Sequence, residues 1–175
     1  VIHGSYGPVM TSFGLAMPAQ RSEALEVWRM ANTARGNPPA PARIARVETK
    51  LGDPTALLVV GCDEDTVVAM ALAEPSRQDR GDGVIIPRDG HVSMVFVAPE
   101  RWGQGLGTRL MDALHLDMRR RGWETASLWT RTNNQRARRL YTGRGYHLTA
   151  DVKTLDGGDE IARYQLRLRP PLAPR

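Results

Sequence analysis

The chain has 175 residues, 41% hydrophobic and 25% charged, a balance that excludes wholesale disorder and supports one domain with a real core. No apolar run approaches the ~20 residues that span a bilayer, and the opening VIHGSYGPVM has neither the basic flank nor the apolar run of a secretory leader. The net charge is +5, carried almost wholly by arginine because lysine occurs only at Lys50 and Lys153, and no aromatic residues interleave with a basic stripe as a nucleic-acid groove would require.

A soluble cytoplasmic protein is therefore expected, a single domain over 1–175 with flexible ends at 1–8 and 170–175, and with neither membrane nor nucleic acid as partner. Cys62 is the only cysteine, and His3, His91, His115 and His147 show no metal-ligand spacing. No metal is expected, and Cys62, closing the apolar run LLVVGC, reads as a buried, inert thiol.

In chain order, a short strand is expected within Val9–Leu15, stopped by Pro18. Ser22 reads as the N-cap of a helix to about Ala34, with Leu25, Trp28 and Ala31/Asn32 along one face. After Gly36 and NPPAPAR, a second helix is predicted from Ala42 to Leu51. TALLVVGC and TVVAMALAE, β-branched and apolar, flank Asp63-Glu64-Asp65 as a hairpin. Residues 75–90, PSRQDRGDGVIIPRDG, read as a long loop, either functional or a plain excursion.

HVSMVFVAP is a strand whose continuous apolar character predicts burial on both faces. Leu110, Met111, Leu114 and Met118 mark a helix to about Arg121, with Gly122 placed to end it. TASLWT is a further strand, and Asn134 to Gly143 a helix with Ala137, Leu140 and Tyr141 on one face. YHLTADVKT and EIARYQLRL pair across LDGGD. This order predicts an α/β fold of the α+β type, a mixed and mostly antiparallel central sheet with helices on both faces.

The stretch RWGQGLGTRL joins a strand to a helix through three alternating glycines. Glycines let backbone curl close to a ligand, and the first N–H groups of a helix lack internal partners, so the turn suits a phosphate. Arg101 and Arg109 are candidates to add charge. It is not a P-loop, since no Gly-Lys-[Ser/Thr] follows, and GxGxxG fails because Thr108 or Leu110 stands at its third glycine.

VFVAPERWGQGLGTRLM resembles the acetyl-CoA motif of the GNAT superfamily of N-acyltransferases, Arg/Gln-x-x-Gly-x-Gly/Ala after a strand ending in Val, through Val97, Gly105 and Gly107. NNQRARRLYTGRGY resembles the family's downstream pattern through Asn134, Ala137, Leu140, Tyr141, Gly145 and Tyr146. One departure stands out: Trp102 opens the loop where the family has Arg or Gln. The resemblance implies transfer of the acetyl group of acetyl-CoA, as cosubstrate, to an amine. It places Val95, Phe96 and Val97 along the pantetheine arm, with an N–H of Val95 or Val97 polarising the thioester carbonyl. Arg101, Trp102, Gly103, Gln104, Gly105, Leu106, Gly107 and Thr108 are expected around the pyrophosphate, and Asn134, Ala137, Arg139 and Tyr141 on the opposite wall.

Tyr141 stands where family members protonate the departing thiolate; core packing is its competing role. Asn134 either bonds the cofactor arm or caps its helix. For the general base, His91 occupies the position at which several family members carry Glu, and Glu74, ending the preceding strand, is its rival. Asp79, Asp82 and Asp89 are acidic candidates for holding a cationic acceptor. The expected acceptor is a small-molecule amine; a protein N-terminus or lysine, and a non-catalytic CoA-binding or RNA-associated module, are the alternatives. By analogy alone, a homodimer is expected.

Overall fold

The computed structural model describes residues 10–168, so the expected flexible ends and Val9 lie outside the described residues. The elements are β1 (Thr11–Leu15), α1 (Arg21–Ala34), α2 (Pro41–Leu51), β2 (Leu57–Asp63), β3 (Thr66–Arg77), β4 (Ile85–Val97), α3 (Leu106–Arg120), β5 (Thr125–Arg131), α4 (Gln135–Gly143), β6 (His147–Thr154) and β7 (Glu160–Arg167). Seven strands form one sheet in the order β1-β2-β3-β4-β5-β7-β6. Every neighbouring pair is antiparallel except β4 and β5. This is the mixed sheet the sequence order predicts.

β3 is the spine of the core, because its alternating side chains serve two layers. Ala69, Ala71 and Ala73 face α3, where Leu110, Met111, Leu114 and Met118 are all fully buried. Met70 and Leu72 face the other layer, with Val27 and Trp28 of α1 and Val47 and Leu51 of α2. Cys62 is buried in that second layer, its thiol pushed up mainly by burial, as an inert packing residue would be. Gly122, at φ +88°, ends α3: its N–H donates to the Arg119 carbonyl, and Trp123 N–H reaches back to Met118. Among the described residues no helix is long and apolar enough to cross a membrane.

Two expectations need correction. Ser22 lies inside α1, whose N-cap is Gln20; the preceding 3-10 turn, Pro18–Gln20, already orders the entry, with Met17 N–H donating to Gln20 Oε1 at 2.9 Å. The long loop at 75–90 is mostly strand. β3 runs to Arg77, β4 begins at Ile85, and the two pair through Pro75↔Gly90 and Arg77↔Ile85 around a 3-10 turn at Asp79–Gly81. The Pro, Gly and Asp content that suggested a loop is accommodated by a break in register and by positive φ at Asp79, Gly81 and Arg88.

Two features of β4 shape the cavity beside it. Met94 faces Leu72 while Val92 faces Ala73, which leaves Ser93 as an extra, bulged residue. The bulge sends Val92 to the α3 layer and Met94 to the α1 layer, and it bends the strand. β4 then pairs with β5 only through Asp89, Gly90 and His91. Beyond His91 the two parallel strands part. Val95, Phe96 and Val97 are consequently half-buried, where burial on both faces was expected, because they border an opening.

Candidate active site

The parting of β4 and β5 opens a cavity of about 320 Å³ bordered by Val92–Val97, the glycine loop, Trp129, and the α4 residues Ala137, Leu140 and Tyr141. Backbone alternation decides which groups point into it. Ala98 N–H donates to Val68 on the β3 side, so Phe96 N–H also faces β3 and the N–H groups of Val95 and Val97 face the opening. The Val97 carbonyl agrees, since it turns away from β3 to accept from the Trp102 indole at 2.7 Å.

The glycine loop is built for close approach. Gly103 and Gly105 have φ of +78° and +76°, a region that side chains disfavour. No atom lies within 4 Å of where a Cβ would stand on either, so their surface is open. Gly105 is also the N-cap of α3, leaving the N–H groups of Leu106, Gly107 and Thr108 without helical acceptors. All of these residues line the cavity except Gln104, whose side chain turns back to accept from Arg101 and donate to the Glu100 carbonyl.

The expected loop charges are engaged elsewhere. Arg101 borders the cavity but is paired with Asp63, and Arg109 donates to the Thr11 carbonyl at 2.8 Å while lying over the Phe13 ring. Both tie β1 and β2 to the loop. Positive charge arrives instead from Arg35 and Arg136. Their guanidinium carbons lie 5.4 and 5.6 Å from the Trp102 ring centre, and Arg35 also lies over Phe96. Among the described residues neither meets a carboxylate, and partial burial together with Arg136 works against the Arg35 charge. Two cations facing one cavity without an anion suit an anionic ligand. Arg139, expected here, instead bonds Gln135 and does not line the cavity.

On the far wall, Asn134 Oδ1 accepts from Ala137 N–H at 3.1 Å and caps α4, leaving its amide N–H groups for a ligand. Tyr141 shares the cavity and meets Tyr146 edge-on at 5.9 Å. Desolvation raises its phenol to about 12, with the Arg35 charge pulling the other way. At neutral pH it is a hydrogen-bond donor. Full transfer of its proton to a thiolate of pKa ~8.5 would be uphill by about 5 kcal/mol.

A second cavity, of about 680 Å³, lies where β3 and β4 meet the β6–β7 hairpin; Trp129 borders both cavities. His91 and Glu74 lie here, register partners across β3 and β4, on the other side of Trp129 from Tyr141's cavity. Burial lowers the His91 pKa, Glu74 opposing it, so the imidazole is neutral at pH 7. Glu74 accepts from Lys50 Nζ at 2.8 Å, which leaves it the weaker candidate for a base. Of the acidic candidates, Asp79 lines this cavity and Asp82 does not. Asp89 is buried and accepts from the Thr125 hydroxyl at 2.5 Å, a strand-joining contact.

Sequence reasoning missed Arg35, Trp129 and Ser93. Arg35 is the C-cap of α1, far in sequence from both motifs, and Trp129 reads as any strand aromatic until the strands are seen to part. Arg136 stood among several arginines opening α4, with nothing to separate it from Arg138, which bonds the Tyr164 hydroxyl and the Thr132 carbonyl.

The acetyltransferase (GNAT) family model matches residues 23–146. A mycothiol acetyltransferase of Stackebrandtia nassauensis is 37% identical over 101 residues, 57% of this chain but 31% of that protein's length. Among solved structures, the ribosomal-protein-S18-alanine N-acetyltransferase of Escherichia coli superposes with a TM-score of 0.72 at 17% identity, over 91% of this chain and 94% of that one. The Salmonella typhimurium protein yncA, solved with its cofactor acetyl-CoA, gives a TM-score of 0.71 at 20% identity, over 95% and 98%. At such identities the superpositions speak for the fold alone.

Proposed function

The chain belongs to the acetyltransferase (GNAT) family, and on that premise we propose that it moves the acetyl group of acetyl-CoA to the primary amine of a small-molecule acceptor. The carrying observation is that two cavities, one with an anion-ready glycine loop and one with a desolvated imidazole, share the Trp129 wall. The first fits CoA on this chain's own features: open glycine surfaces, free α3 N–H groups, and two guanidiniums without carboxylates. The second has the volume of a small-molecule site.

Leu106, Gly107 and Thr108 N–H groups hold the pyrophosphate, with Arg35 and Arg136 supplying the charge that Trp102 lacks. The N–H groups of Val95 and Val97 receive the pantetheine arm and thioester. When bound, the cosubstrate supplies an activated acetyl group.

His91, neutral at pH 7, takes the proton that an alkylammonium must lose before its nitrogen can attack. Val95 N–H donates to the carbonyl oxygen as negative charge develops there. Tyr141 donates a hydrogen bond to the sulfur as the C–N bond forms and the C–S bond breaks. The amine's second proton ends on the thiol. Acetyl-CoA-dependent release of free thiol across amine classes, read beside thermal stabilisation by CoA, tests this. Stabilisation without thiol release for any amine would point to the binding-only module.

A further inference from the structure

The lining of the second cavity holds as many carboxylates, at Asp53, Glu74, Asp79 and Asp151, as cations, at Lys50, Arg77, Lys153 and Arg163, but they are not all paired with one another. Lys50 engages Glu74 at 2.8 Å, and Arg163 engages Asp151 at 3.3 Å. Asp53 accepts from the Thr55 N–H and hydroxyl at 2.8 and 2.7 Å. Two cations in the lining meet no carboxylate among the described residues. Arg77 donates only to the Gly83 carbonyl, at 3.3 Å. Lys153 Nζ lies 5.0 Å from the Trp129 ring centre. Asp53, held by Thr55, and Asp79 are the carboxylates of the lining outside the two ion pairs.

A further donor of this cavity lacks a partner. Ser76 lines this cavity, is 4% exposed, and carries the one buried side-chain polar atom without a hydrogen-bond partner among the described residues. A buried hydroxyl without a partner is costly unless a ligand satisfies it. Lys153, Arg77 and Ser76 all offer N–H or O–H donors, and a carboxylate offers acceptors only.

Position distinguishes Lys153 from the other charges. Trp129 borders both cavities, so the Lys153 charge stands beside the wall at which the acceptor's amine must meet the thioester. A fixed cation there repels a polyamine or an aminoglycoside and attracts an acceptor whose own anion lies a few bonds from its amine.

We propose that the acceptor is a small primary amine bearing a free carboxylate, of the amino-acid class, with Lys153 holding that carboxylate beside Trp129. This rests on the acetyl-CoA reading of the first cavity. The reaction is unchanged: one N–H of the acceptor is replaced by N–acetyl, and its proton leaves on the thiol of CoA.

The test measures kcat/KM for thiol release with amino acids and dipeptides, each against its C-terminal amide, beside spermidine and kanamycin. The best carboxylated amine is expected to exceed its amide by about tenfold, chiefly through KM, the worth of one charge-assisted contact. Lys153→Met is expected to remove that difference with kcat largely kept, and Lys153→Arg to retain it. Preference for the amides or the polycations, thiol release with no carboxylated amine, or a Lys153→Met enzyme that still discriminates, overturns the proposal. Calorimetric titration with CoA is run on the same protein. Failure to bind CoA sinks the cosubstrate reading, whereas CoA binding with the wrong acceptor preference sinks only this one.

Discussion

The indole N–H of Trp102 donates to the Val97 carbonyl at 2.7 Å, joining the start of the glycine loop to the last residue of β4. The same ring carries Arg35 and Arg136 beside it. Trp102 thus recovers through stacking the positive charge that an arginine at this position would carry itself. Trp102→Ala is expected to weaken CoA binding about tenfold, as two cation–π contacts and a hydrogen bond are lost. Trp102→Phe, which keeps the ring, should lose less, and calorimetry on both variants checks the order.

Tyr141→Phe removes the hydroxyl without emptying its space. Turnover should fall about a hundredfold while the CoA dissociation constant changes little, since the contact is made to charge that develops during reaction. With the phenol raised to about 12, the acid form persists throughout the working range. No loss of rate on the alkaline side below about pH 11 should trace to Tyr141. A turnover equal to wild type in the Phe variant removes Tyr141 from the chemistry.

His91 has its pKa lowered from 6.5, mainly by burial. The base form therefore survives to more acid pH than a free imidazole would allow, and the acid limb of kcat/KM should have its midpoint below 6.5. His91→Ala should cost about a hundredfold at neutral pH and recover as pH rises and free amine accumulates. A pH–rate profile with the wild-type acid limb in the variant assigns the base elsewhere, with Glu74 next in line.

His115 is a stability group. It is 5% exposed, its Nε2 and the Tyr146 hydroxyl lie 2.9 Å apart, and burial lowers its pKa to about 4. The unfolded chain binds this proton below about 6.5 while the folded one stays neutral. Stability from His115 is therefore complete above that pH and is lost as pH falls towards 4, by about 3 kcal/mol. Urea unfolding at pH 7 and pH 4.5 should show a smaller acid loss in His115→Gln than in wild type, since other groups titrate alike in both.

Gly90 sits where β4 still pairs with β5, one residue before His91. A Cβ added there would stand 2.6 Å from Met118 Cε and against the Trp123 ring. Gly90→Ala is expected to destabilise the protein by about 1–3 kcal/mol through overpacking. Its thermal midpoint should fall with far-ultraviolet circular dichroism otherwise native.

Much of the fold was legible because it is written locally. The β-branched, apolar run of TVVAMALAE and the i, i+4 spacing of Leu110 and Leu114 need no partner to be read. Strand ends hidden behind Pro75, Gly81 and Arg88 were not, because tertiary pairing there outweighs local turn chemistry. The two motifs carried most of the residues that border the first cavity. They could not carry Arg35, Trp129 or Lys153, which enter the site only once distant elements are laid side by side. Arg101, Arg109 and Arg139 illustrate the converse: a charge near a motif in sequence can be spent on a structural partner.

The opening between β4 and β5 depends on a surplus of one residue in β4 at Ser93. Its hydroxyl makes only a long contact, 3.5 Å to the Leu72 carbonyl, so the identity of the side chain matters less than the presence of a residue. Removing position 93 would keep Val92 opposite Ala73 and Met94 opposite Leu72, with the faces of Met94 through Val97 unchanged, and would take away the bulge and the bend that parts β4 from β5. Room for a substrate is here a property of chain counting, which a substitution scan would overlook and a single-codon deletion would expose.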